Sequence, residues 1–139
     1  MRAIYPSAPG GRAGLGLLVI RLMAGTGFIM HGTFKIAHPS MWMGPHGFAP
    51  GWLQAIVAVA EYYGGFALIV GFLTALLAAV LSIDVIVAIL KVHIPLGAHF
   101  TGGRLPIEVP LSYLAMLLAL LLAGPGRYSI DALIFSRRR

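Results

Sequence analysis

The sequence predicts an all-α integral membrane protein, a bundle of four antiparallel helices with a long outer loop between the first two. Three observations carry this. Of its 139 residues, 59% are hydrophobic and only 10% are charged, more apolar surface than a domain of this length can bury, because small domains leave much of theirs in water. Four apolar stretches reach or approach the roughly 20 helical residues needed to cross a hydrocarbon core about 30 Å thick. None shows the period-2 alternation of a barrel strand, and backbone groups in lipid must be satisfied internally, which leaves helices.

The four stretches, residues 13–37, 52–73, 74–94 and 105–124, form a single transmembrane domain spanning 1–139. The first follows Arg12 and resembles a secretory leader, but it is too long, lacks a small-x-small end and is interrupted by Arg21, His31 and Lys35. It reads as a retained helix. Gly71-Phe72-Leu73-Thr74 separates the second and third stretches, offering a Gly to end one helix and a Thr to cap the next. These two therefore make a tight antiparallel hairpin. The loop His38–Gly51 carries three prolines and three glycines among Met41, Trp42, Met43, His46 and Phe48, and is expected to fold back onto the membrane surface. Pro95–Arg104 forms a second loop on that side. Gly124-Pro125-Gly126 stops the fourth helix, and Ser129 with Asp131 can open a short amphipathic helix in the tail 127–139, which ends in Arg137-Arg138-Arg139.

Charge sets the orientation and excludes one class of partner. The net charge of +6 and a pI near 10.3 would suggest nucleic acid in a polar chain, but a mean hydropathy of +0.91 places these cations at the ends of membrane helices. Nucleic acid is not expected; the lipid bilayer is. Six arginines fall on the side of the termini against Lys35, Lys91 and Arg104 on the other, so both termini are expected in the cytoplasm. The absence of cysteine removes thiolate metal sites, CxxC redox pairs, iron–sulfur clusters and covalent haem. No HxxxH or HExxH spacing occurs, so no metal site is expected.

Charges inside the bilayer cost about 2.5–3.5 kcal/mol each on insertion scales, so each needs a partner or a task. From the 1.5 Å rise per residue, Glu61 and Asp84 fall near the midplane and Arg21 about 6 Å to its cytoplasmic side. These three are expected to meet as a buried charge network, either pinning three helices or, with one carboxylate in surplus, holding a proton. Along the first helix Arg21, Gly25, Phe28, His31, Gly32 and Lys35 share one face about 120° wide. In the third, Asp84 and Lys91 share a face, whereas His93 points away from Asp84. His31, Lys35, Glu61 and Lys91 are the ligand-binding candidates. The alternative for His31 and Lys35 is a satisfied polar residue and a lysine snorkelling to the headgroups. His38, His46 and His99 read as solvated loop residues.

Several motifs together are similar to a known family. Arg21 followed by Gly-x-Gly-Phe-x-x-His-Gly-x-x-Lys at Gly25–Lys35, Glu61 with Gly64-Gly65, Gly-Phe-x-Thr at Gly71–Thr74, and Gly-Pro-Gly-Arg-Tyr-Ser-Ile-Asp at Gly124–Asp131 resemble the DoxX family of small four-helix bacterial and archaeal membrane proteins. The resemblance runs from about residue 15 to 132. It implies a location in the cytoplasmic (inner) membrane of a bacterial or archaeal cell, and a quinone-linked membrane subunit or partner of an oxidoreductase complex, with quinone as a non-covalent cofactor and at most a subunit's share in the catalysis. On that expectation Lys35 or His31 donates to a quinone carbonyl, Glu61 relays a proton, and Phe28, Trp42, Tyr62 and Tyr63 form walls. No catalytic residue is assigned. The alternatives are a structural or assembly subunit, including of an oligomer, and a small-solute permease; the apolar cytoplasmic half argues against the last. Reporter fusions after Arg139 and within Gly44–Gly47 test the orientation. Cytoplasmic activity is expected only for the first, and cytoplasmic activity for both would overturn the topology.

Overall fold

The computed structural model describes residues 8–102 and 105–136. Arg2, Arg104 and Arg137 to Arg139, which contribute to the charge asymmetry between the two sides, lie outside the described residues. Five helices run in order: α1 (Gly11–Ala37), α2 (Gly51–Val70), α3 (Thr74–Ala88), which continues as one π turn through Ile89–His93, α4 (Glu108–Ala123) and the short α5 (Ile130–Ser136). By length and composition α1, α2 and α3 with its π turn can each cross a membrane. α4, apolar but 16 residues long, spans about 24 Å. It starts at Glu108 rather than near 105, with Pro110 in a first turn whose N–H groups lack helical partners anyway.

Polarity is inverted relative to a protein in water. Arg21 is fully buried and Glu61 nearly so, at 0% and 4% exposure, whereas Met30, Phe34, Ile83 and Leu122 stand outward. Such a surface is stable only in lipid. The buried core, formed by Leu17, Phe28, Leu68, Ala78, Leu81, Val85, Leu117 and Leu120, sits between the helices, chiefly toward the side of the termini.

α1 packs chiefly on α2, and α3 on α4. The α1–α2 crossing is unusually close because both partners are glycine. A Cβ on Gly25 would lie 2.6 Å from the Gly65 carbonyl oxygen, and one on Gly65 would lie 2.7 Å from that of Gly25. Small residues permit this approach between helices in lipid.

The side of the termini is closed by the segment after α4. Asp131 accepts hydrogen bonds from the amides of Leu73 (2.9 Å) and Thr74 (2.8 Å), and its own amide donates to the Gly71 carbonyl. The α2–α3 turn thus differs from the sequence expectation. Gly71 ends α2 in the left-handed region, φ 72°, as expected, but Thr74 caps nothing. The first residue of α3 lies too deep for its side chain to serve, and a carboxylate 57 residues further along supplies the acceptor. Leu73, held at φ 51°, is the non-glycine residue that bears the strain of this turn. Ser129 caps α5, its Oγ accepting from the Ala132 amide at 3.1 Å, as the sequence suggests.

The crossing yields a direct expectation. Gly65→Ala places a methyl group against the backbone of α1 and should cost about 1–3 kcal/mol, read as a lowered melting temperature in mild detergent. Unchanged stability would mean that the helices do not touch there.

Candidate functional site

The antiparallel register set at Gly25 and Gly65 places Arg21 level with Ile69 but leaves Lys35 about 9 Å along the helix axes from the level of Glu61, a gap that their side chains bridge. The two cations of α1 therefore have different partners. The expected network of Arg21, Glu61 and Asp84 does not form. The Arg21 guanidinium donates to the carbonyls of Ile69 and Tyr128, with the Asp131 carboxylate near enough to act on it electrostatically. Glu61 lies eight residues, about 12 Å, further along α2 from Ile69. The Gly25–Gly65 register already sets Arg21 level with Ile69, and the tilt of helical side chains toward the helix N-terminus carries its guanidinium further from the midplane.

The same tilt brings Lys35 inward. α1 and α2 run in opposite directions, so Lys35 leans back toward the midplane while Glu61 leans toward the loops, and Lys35 Nζ donates to Glu61 Oε1 at 2.6 Å. This ion pair is partly buried, with side-chain exposures of 19% and 5%. Lys35 also sits 4.4 Å from the centre of the Trp42 ring. It does not snorkel to the headgroups.

Two cavities border Lys35. The first, about 350 Å³, lies among α1, α3 and α4 above Glu61. Its polar groups are His31, Lys35, Glu61, Asp84 and His93; Phe28, Val85, Val109 and Tyr113 form much of the apolar wall. Tyr113 meets both Phe28 and His31 edge-on, with ring centres 5.4 Å and 5.9 Å away. Gly27 leaves room for the Tyr113 hydroxyl. The second cavity, about 360 Å³, lies beneath the α1–α2 loop against α2 and α3, and shares Lys35, Asp84, Ala88 and His93 with the first. Gln54 holds that loop in place: its carbonyl accepts from Trp42 Nε1, its side-chain oxygen from the Met43 amide, and its Nε2 donates to the Ala49 carbonyl.

Of the four ligand-binding candidates, His31, Lys35 and Glu61 line the first cavity, whereas Lys91 is exposed and lines neither. His93 takes the place expected of Lys91. In an unbroken α-helix His93 would stand about 180° from Asp84. The π turn, marked by the bond from the Ile94 amide to the Ile89 carbonyl, adds a residue to the last turn. The chain beyond the added residue is rotated back by about 100°, and His93 turns toward the cavity, its Nδ1 3.2 Å from the Ala88 carbonyl. Among the expected walls, Phe28 and Trp42 line the cavities, but Tyr62 and Tyr63 do not. Their rings pack on each other and Tyr62 on Phe66, with Tyr63 60% exposed. Close packing of α1 against the Tyr62 backbone at Gly32 leaves these rings outside.

His93, Tyr113 and Gln54 belong to the site although sequence reasoning passed them over, and Asp84 belongs here rather than with Arg21. A polar Gln54 one turn into an apolar helix was a usable signal. A π turn before Pro95 has no comparable one.

An apolar-surfaced helical bundle with ionised groups buried inside defines a small integral membrane protein. The DoxX family model matches residues 16–94, more than half of the chain. The chain is also 32% identical over 137 residues to the uncharacterized membrane protein Rv3486 of Mycobacterium tuberculosis (strain ATCC 25618 / H37Rv), over 87% of this chain and 82% of that protein. The chain belongs to the DoxX family. No solved structure matches it.

The ion pair yields a double-mutant test. Lys35→Met leaves Glu61 buried without its cation and should cost about 3–5 kcal/mol, less where water enters the cavity. Adding Glu61→Gln should restore part of this, with a coupling energy of about 1–3 kcal/mol by thermal unfolding in detergent. Strictly additive losses would mean that the pair contributes nothing as a pair.

Proposed function

We propose that the first cavity receives the head group of a quinone and that the protein is a quinone-linked membrane subunit or partner of an oxidoreductase complex. The observation that carries this reading is that two cavities of ring-holding size border one polar septum formed by Lys35, Asp84 and His93. Pockets of this volume, mostly apolar with a few converging polar groups, are typical of small-molecule sites. At the septum and the adjoining wall of the first cavity, Lys35 and the two histidines can donate to carbonyl oxygens, and Glu61 and Asp84 can accept from hydroxyls. A quinone ring presents one or the other, according to its oxidation state. The second cavity is lined by Ile56, Val80, Ile83 and Val87, all exposed on the lipid-facing surface of α2 and α3. An apolar tail thus has a lateral route from the bilayer to the same septum.

Family membership adds support, because the motif residues His31, Lys35 and Glu61 that carried the resemblance are those gathered here. An inert assembly subunit would require the Arg21 clamp but not a polar septum between two cavities. A permease would require a polar path through the other half of the bundle, which Leu68, Ala78, Leu81 and Leu117 fill.

Trp42, one of two tryptophans in the chain, lines the second cavity and supplies the readout. Decylubiquinone added to the detergent-purified protein should quench its fluorescence saturably. His31→Ala and His93→Ala should each weaken binding about three- to tenfold, the value of one hydrogen bond. Linear, non-saturating quenching, or equal affinity in both variants, would overturn this reading.

A further inference from the structure

The ion pair uses only one oxygen of Glu61. Its other oxygen, Oε2, is buried without a donor, and Glu61 lines the cavity floor. The neighbouring acceptor is Asp84, a second carboxyl within hydrogen-bonding reach of Glu61. Ionised carboxylates only accept, so a hydrogen bond between the two needs a proton. The charge balance agrees. With Lys35 cationic, two ionised carboxylates would leave a net negative charge buried in lipid, whereas one proton between them makes the set neutral.

The surroundings give this proton a direction. Toward the loops the carboxyls face His31 and Lys35 of α1, His93 of the π turn and Tyr113 of α4, and the mouth beyond carries the exposed His31 and Leu105. Toward the termini lie Leu68, Ala78, Leu81 and Leu117, each fully buried. Ser82 is the polar side chain nearest on that side of α3, and its hydroxyl is committed to the Ala78 carbonyl at 2.6 Å. About 12 Å of apolar packing, measured along α2 from Glu61 to Ile69, separates the carboxyls from Arg21.

We propose that Glu61 and Asp84 form a carboxyl pair holding one proton between them, and that this proton exchanges only with the side of the membrane bearing the α1–α2 loop. The pair is the proton store of the cavity. When a ligand hydroxyl at the floor ionises, its proton passes to the carboxylate oxygen of the pair, and the proton already held leaves past His31 and His93 to water at the mouth. In this use the inference rests on the cavity being a quinone site. The pair and its sidedness exist without any ligand.

The chain has only four acidic residues, which makes the test clean. In infrared spectra of the full-length protein in liposomes near neutral pH, the C=O stretch of one protonated carboxyl should appear and shift downward in D2O. It should vanish in Asp84→Asn and in Glu61→Gln alike. Absence of the band, or its survival in either folded variant, would overturn the shared proton. Sidedness is read on the unaltered protein, so it does not depend on a variant folding. Liposomes are sorted by protease access to a C-terminal tag, and the external pH is stepped while the lumen stays buffered. The band should follow external pH where the α1–α2 loop faces out and stay constant where it faces in. A band that follows external pH in both populations, or only in the second, would overturn the one-sided exchange. No quinone is present, so failure here is separable from failure of the quenching titration.

Discussion

Everything in this bundle depends on two glycines facing each other at one crossing. With Gly25 and Gly65 each occupying the space a Cβ would need, α1 and α2 approach to backbone contact and their register is fixed to the residue. A register fixed there propagates along both helices. It places Arg21 opposite Ile69 near one end and brings Lys35 within side-chain reach of Glu61 toward the other. A slip of one helical turn would bring neither cation to its acceptor, and each would remain buried and unpaired at a cost of several kcal/mol, on the order expected for a lone charge. Packing specificity and charge satisfaction thus reinforce each other, which is the consistency expected of a chain with one favoured arrangement.

Helix direction then decides what each cation does. Side chains tilt toward the N-terminus of their own helix, so within an antiparallel pair the tilts are opposed. Lys35 and Glu61 lean toward each other and form a short pair inside the bundle. Arg21 leans toward the termini, where backbone carbonyls receive it and the Asp131 carboxylate acts on it electrostatically. The same Asp131 supplies the two acceptors that the start of α3 needs, so one carboxylate serves the α2–α3 turn and the guanidinium together. This explains how a chain with few charges can bury several.

The fold was largely legible because hydrophobic length is a one-dimensional signal. The edges of the apolar stretches fall within a few residues of α1 through α4, and Ser129 marks the start of α5. The site was legible where it depends on rotation about an unbroken helix: the face holding Phe28, His31 and Lys35 does look inward. It was not legible where local geometry departs from the ideal. Depth arithmetic from the centres of the apolar stretches put Arg21 near Glu61 because it missed the Gly25–Gly65 register, which sets Arg21 level with Ile69, and omitted the direction of a long side chain. Helical phase put Lys91 in the cavity and His93 outside because a single π turn, invisible in composition, shifts the phase by about one residue. Tyr62 and Tyr63 were selected by residue type, and residue type does not say which face of α2 is pressed against Gly32.

The two ends of the bundle therefore solve the same problem to different purposes. Around Arg21 the partners are backbone carbonyls, which cannot change charge, on a turn tied down by Asp131 and Ser129; such a cluster can hold helices together and do little else. Around Lys35 the partner is a carboxylate with a second carboxyl beside it, two histidines nearby and empty space above. Here the charge on nearly every group can change, and each is positioned by a different helix. A purely structural charge site gains nothing from a cavity, because every unfilled volume forfeits packing contacts in a close-packed interior. That α1, α3 and α4 leave about 350 Å³ open above this cluster, while the opposite half is filled by leucine and alanine, is the asymmetry that sets the end with the candidate site apart from the end that fastens the bundle.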